Sequence, residues 1–69
     1  MLPTPVNGSR IRAHVEYHDK TFLVLCQYGR EWVTWEMDNK GHCYWGNYSD
    51  TSAEGLESFR GRIKEMRML

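Results

Sequence analysis

Three histidines and two cysteines are the side chains of this 69-residue chain best suited to hold a metal or act as a nucleophile. Their spacing serves neither purpose. His14 and His18 fall on one side of a strand, about 13 Å apart at ~3.3 Å per residue, too far to share a metal. His42 and Cys43 are adjacent and so point to opposite faces. Cys26 and Cys43 belong to strands with a third between them, about twice 4.8 Å apart and beyond disulfide reach. No CxxC pair lies on one loop. The six glycines are dispersed, so no glycine-rich loop could cradle phosphate. The cysteines read as core filler, and the chain reads as no enzyme, with no metal and no cofactor.

The chemistry left is contact. Residues 32–48, WVTWEMDNKGHCYWGNY, hold three tryptophans and two tyrosines around a turn. A chain this short buries only about 60% of its unfolded surface, so its core is small and its stability margin thin. Some of these aromatics are therefore expected to face outward. Nine Lys and Arg balance nine Asp and Glu, which argues against non-specific coating of nucleic acid. The first residues show no signal-peptide pattern and no stretch nears the ~20 apolar residues of a membrane span, so a cytoplasmic protein is expected.

The elements that must position these residues follow from period and turns. Residues 1–9 carry both prolines and read as a flexible N-terminal arm, with 10–69 as one α+β domain. Alternation from residue 10 places Ile11, Ala13, Val15 and Tyr17 on one side of a strand. A two-residue reversal at Asp19-Lys20 sets Tyr17 opposite Phe22 and Val15 opposite Val24. A second reversal at Gly29-Arg30 sets Cys26 opposite Val33, Val24 opposite Trp35 and Phe22 opposite Met37. A third lies at Asp38-Asn39-Lys40-Gly41, with Gly41 suited to a left-handed residue. Loop length there decides whether Trp45 faces inward with Tyr44 and Tyr48 out, or the reverse. Thr51-x-x-Glu54 is a capping box, and Ala53, Leu56, Phe59, Ile63 and Met66 form one helical stripe. A small residue at Gly55 or Gly61 lets the helix approach the sheet closely. The expected fold is a four-stranded antiparallel meander with a C-terminal helix on one face, ββββα. The helix is expected over Val15, Tyr17, Phe22, Val24, Val33, Trp35 and Met37.

That arrangement leaves an open face with Leu23, Leu25 and Trp32 ringed by Arg, His and Glu, the make-up of an interface. Arg12, His14, Leu23, Leu25, Trp32, Thr34, Tyr44 and Tyr48 are the candidate partner-binding residues. The arm could cover this face, a second copy could pack on it as a homodimer, or a partner protein could dock there. A nucleic-acid module is the rival reading. It would use Arg10, Arg12, Arg30, Lys40, Arg60, Arg62, Lys64 and Arg67 on phosphates and stack aromatics on unpaired bases.

Residues 32–59 resemble the sheet-to-helix half of AP2 and integrase-arm DNA-binding domains. The likeness rests on Trp32-Val33, Asp38 with Lys40-Gly41, Trp45-Gly46-Asn47-Tyr48, Asp50-Thr51 and Ala53-Glu54. It implies a three-stranded sheet laid in the DNA major groove. That family's sheet is rich in arginine, whereas this one offers Arg12 and Arg30 with Glu16, Glu31 and Glu36 among them. In size and style the chain also resembles small phage and mobile-element proteins, anti-CRISPR proteins among them, that inhibit host machinery. The expected function is accordingly an inhibitor that binds a host protein complex.

Overall fold

A computed structural model describes residues 2–17 and 20–67, and the backbone alone for Met66 and Arg67. Four strands form one antiparallel sheet in the order β1 (Arg10–Tyr17), β2 (Thr21–Tyr28), β3 (Glu31–Met37) and β4 (Cys43–Ser49). One helix follows, α1 (Ser52–Arg67). The architecture is ββββα, as the alternation and the capping signal predict.

The middle hairpin keeps the expected register: Phe22 pairs with Met37, Val24 with Trp35 and Cys26 with Val33. Gly29 takes φ +62 in its turn, a conformation glycine adopts without penalty. The first hairpin differs by one residue. Tyr17 pairs with Thr21 and Val15 with Leu23, and the register shifts between Ile11 and Ala13. Lys20 sits at φ 57; Asp19, the other half of the expected two-residue reversal, and His18 lie outside the described residues. The slip moves Ala13, Val15 and Tyr17 to the side of Leu23 and Leu25, while the bulge leaves Ile11 beside Cys26 on the opposite side.

The helix lies on the face opposite to the one expected. Phe59 packs with Leu23 and Leu25, flanked by Ala13, Val15, Tyr17, Trp32 and Ile63. Both faces of β2 are apolar, so alternation in that central strand cannot choose between them. The choice falls to the two-residue link Asp50-Thr51 and to the fit of α1. The second face holds Phe22, Val24, Cys26, Val33, Trp35 and Met37. The N-terminal arm closes part of it. Leu2 packs against this cluster, Pro5 and Ser9 are buried, and the Val6 N–H donates to the Gly41 carbonyl at 3.0 Å. Gly41 has φ +89, and a Cβ there would overlap the Thr4 carbonyl.

The helix start follows the capping box. The Glu54 N–H donates to Thr51 Oγ1 at 3.2 Å, and the Thr51 hydroxyl donates to Glu54 Oε1 at 3.1 Å. The buried stripe is rotated from the expected one. Gly55 and Phe59 are buried, with Ser58, Arg62 and Ile63 half-buried, whereas Ala53 and Leu56 are exposed. Gly55 explains the rotation, because a Cβ there would stand 2.8 Å from Trp32 Cβ. Nothing lies within 4 Å of a Cβ built at Gly61. Gly61→Ala is therefore expected to stabilise the fold by about 0.5–1 kcal/mol through helix propensity. Gly55→Ala gains the same propensity but overpacks the sheet contact, with an expected net loss of about 1 kcal/mol. Thermal melts of the two variants should shift in opposite directions.

Candidate functional site

The most polar part of the interior lies under α1. Thr34 is fully buried and its Oγ1 is 3.3 Å from Ser58 Oγ. Arg62 reaches in from the helix. Its Nη1 donates to the Thr34 carbonyl at 3.0 Å, to Thr34 Oγ1 at 3.1 Å and to the Trp45 carbonyl at 2.9 Å. Its Nη2 is 3.6 Å from Glu36 Oε2. Glu36 Oε1 in turn accepts from the Tyr17 hydroxyl at 2.6 Å. One guanidinium thus ties α1 to β3 and β4, and Glu36 carries the connection to β1.

Burial, then the hydrogen bond and charge of Glu36, push the Tyr17 phenol from 10.0 up to about 12, against the opposing pull of Arg62. Folding therefore favours the protonated phenol. Its contribution to stability is complete below pH 10 and is lost as pH rises from 10 towards 12. Phenolate absorbance should show one tyrosine titrating late in the folded chain, and Tyr17→Phe should remove that late step.

β4 departs from a regular strand at one place. Glu36 pairs with Tyr44 and Thr34 pairs with Asn47, so Trp45 and Gly46 together oppose Trp35. Trp45 occupies the bulge with φ 52, the left-handed region that bulky side chains avoid. Gly46 lies flat against the Trp35 indole, where a Cβ would overlap the ring. The Trp45 carbonyl is the one held by Arg62. Trp45 is 75% exposed, the highest value among the exposed large hydrophobic residues, with Tyr48 at 58% and Tyr44 at 50%. The Tyr44 and Trp45 rings stand 6.3 Å apart at a 52° tilt. On the other side of the strand, Tyr48 and Tyr28 meet the edge of Trp35 at 6.2 and 5.9 Å.

The expected open face does not exist as drawn. Leu23, Leu25 and Thr34 are buried and Trp32 is half-buried beneath α1, so the first three offer no surface to a partner and Trp32 offers only part of its ring. The helix took the face because Gly55 fits against Trp32. Arg12 and His14 are exposed on β1. The Arg12 guanidinium lies 5.8 Å from the centre of the Trp32 ring and donates to Gln27 Oε1 at 3.4 Å. Tyr44 and Tyr48 are exposed but on opposite sides of the sheet, because the bulge reverses the alternation between them.

The basic residues are dispersed. Arg10 and Arg30 lie toward the β2–β3 turn, near Arg12, and Lys40 lies in the turn at the other end of β3. Arg60 and Lys64 are exposed on α1, Arg62 is turned inward, and the Arg67 side chain lies outside the described residues. Trp45 and the Arg62 network escape a reading based on period. The local signals for them are the Trp45-Gly46 pair and an arginine beside the Phe59–Ile63 stripe.

Cys26 and Cys43 are free thiols. Burial raises both, Cys43 to about 11, which disfavours the nucleophilic thiolate. Among the described residues, no three His, Cys, Asp or Glu side chains gather to hold a metal, and no helix is long and apolar enough to cross a membrane. The chain matches no family model, no curated protein and no solved structure.

Proposed function

We propose that this chain is a non-enzymatic binding protein that contacts a partner protein through β4, with Trp45 as the anchor. The observation that carries this reading is a largely exposed tryptophan in a left-handed bulge, its carbonyl fixed by a half-buried arginine. A left-handed backbone costs a residue other than glycine about 1–2 kcal/mol, and such strain concentrates at functional positions. An exposed indole adds nothing to the core in return. Trp and Tyr supply much of the binding energy at protein interfaces; Tyr44 stands beside the anchor, and Tyr48 is exposed on the other side of the same edge strand. β4 is also an outer strand of the sheet, and edge strands are places where proteins recruit partners. The partner envisaged is a host complex that the chain inhibits, a step motivated by its small size and balanced charge.

A photo-reactive phenylalanine at position 48, introduced into the chain in its source cell, tests this. A discrete protein adduct is expected, lost when Trp45→Gly is added and kept when Arg60→Ala is added. Adducts that ignore Trp45 sink the assignment. Steeply salt-dependent capture of an oligonucleotide in place of a protein would favour the rival reading.

A further inference from the structure

Beside Trp45 the sheet opens into a cleft of about 460 Å³, lined by Thr21, Glu36, Met37, Asp38, Tyr44 and Trp45. Its walls combine two aromatic rings, each at least half exposed, with two carboxylates. Among the described residues, no cationic side chain lines it. Glu36 already faces Arg62. Asp38 is differently placed. Its Oδ1 accepts from the Lys40 and His42 N–H groups at 2.9 and 3.0 Å. Among the described residues its Oδ2 has longer contacts, 3.2 Å to His42 Nδ1, an ion pair when that ring is protonated, and 3.4 Å to the Tyr44 hydroxyl. Partial desolvation pushes the Asp38 carboxyl up, and the donations from His42 and Lys40 pull it further down, so the group is held as an anion.

We infer that this cleft seats an arginine side chain of the partner protein, its guanidinium against the Tyr44 and Trp45 rings and its N–H groups toward Asp38. The inference rests on the binding reading above and adds the partner's chemistry. A planar cation matches the site on two counts. Aromatic faces attract it through their quadrupole, and its fixed fork of donors suits a carboxylate oxygen with room for another donor. An aliphatic side chain would add no donor to Asp38 Oδ2, and an acidic one would be repelled by the carboxylate. The bulge explains how the site is held open. Arg62 fixes the Trp45 carbonyl, and through it the ring's position beside Tyr44.

The test follows the indole N–H signals of the full chain by NMR, with Trp45 assigned from its absence in Trp45→Gly. The probes are N-acetyl-arginine methylamide and its neutral citrulline counterpart. The Trp45 signal is expected to move with the arginine probe at millimolar concentration, and at least about fivefold less readily with citrulline. Asp38→Asn, which keeps the Oδ1 acceptor of the turn, and Tyr44→Leu should each weaken the response by about threefold or more with the other two indoles unmoved. Equal responses to the two probes, or none from Trp45, overturn the arginine seat. If the adduct at position 48 survives that result, the protein-binding reading stands and only the partner chemistry fails. If the arginine response is present and no adduct forms, the seat stands and the broader reading falls.

Discussion

Trp45→Gly is expected to make the protein more stable and functionally silent at once. Glycine takes φ 52 freely, so the substitution releases about 1–2 kcal/mol of backbone strain. It also loosens the unfolded chain, which returns about 0.5–1 kcal/mol. The indole is three-quarters exposed, so little burial is lost. The net expectation is a gain of about 0.5–1 kcal/mol, or roughly 2–8 °C in melting temperature for a domain this small. Partner contact should fall by tenfold or more, because an interface anchor of this kind contributes about 2 kcal/mol or more. Calorimetry and the adduct assay check the two halves on one sample. A variant that melts lower would mean the Trp45 ring packs for stability, and the anchor assignment would go with it. Strain kept where removing it is easy is a known mark of a site selected for something other than folding.

Arg62→Ala is expected to be strongly destabilising although the side chain is polar and only half-buried. It strips the cationic partner from the Glu36 carboxylate and one of two partners from the buried Thr34 hydroxyl, and it removes the side-chain donor from the Thr34 and Trp45 carbonyls. Removing one side of a fully buried ion pair costs about 3–5 kcal/mol. The Glu36 side chain is 33% exposed and that of Arg62 16%, so water recovers part of this, and about 2–3 kcal/mol is the expected loss. A 69-residue chain has roughly 3–10 kcal/mol in total, so urea unfolding should show a large fall in midpoint. Arg62→Lys should lose about half as much, since one ammonium cannot serve Thr34, Trp45 and Glu36 together. The double change Arg62→Met with Glu36→Leu should recover part of the loss by removing both charges. Recovery to nothing would show that the guanidinium acts through the carbonyls alone. Either Arg62 variant, where still folded, should also weaken the adduct through Trp45, because the bulge loses its tether.

The two substitutions separate what holds the fold from what uses it, and so do the readings that survived. Strand and helix limits were legible in local chemistry. Gly29 marks the middle turn, and its two-residue loop sets the β2–β3 register residue for residue. Thr51 accepts the Glu54 N–H and donates its hydroxyl to the Glu54 carboxylate, all within four residues of sequence, so the helix start is a local fact. These features depend on neighbours a few positions away, and period and turn type report them well.

What the tertiary structure decided depends on distance. The face that α1 covers could not be read, because Leu23 and Leu25 on one side are as apolar as Val24 and Cys26 on the other. Gly55 settles the fit only once Trp32 is beside it. Alternation carries a face assignment along a strand until a bulge reverses it, and bulges near Arg12 and at Trp45-Gly46 reversed it twice. Arg62 reads in sequence as one more cation on a helix end. It becomes the tie between helix and sheet only because folding brings Thr34, 28 residues away, and Trp45, 17 residues away, to a single nitrogen. The amino-acid sequence by itself determined five elements, a meander and an excess of aromatics. Burial and long-range hydrogen bonding determined which of those aromatics remained outside.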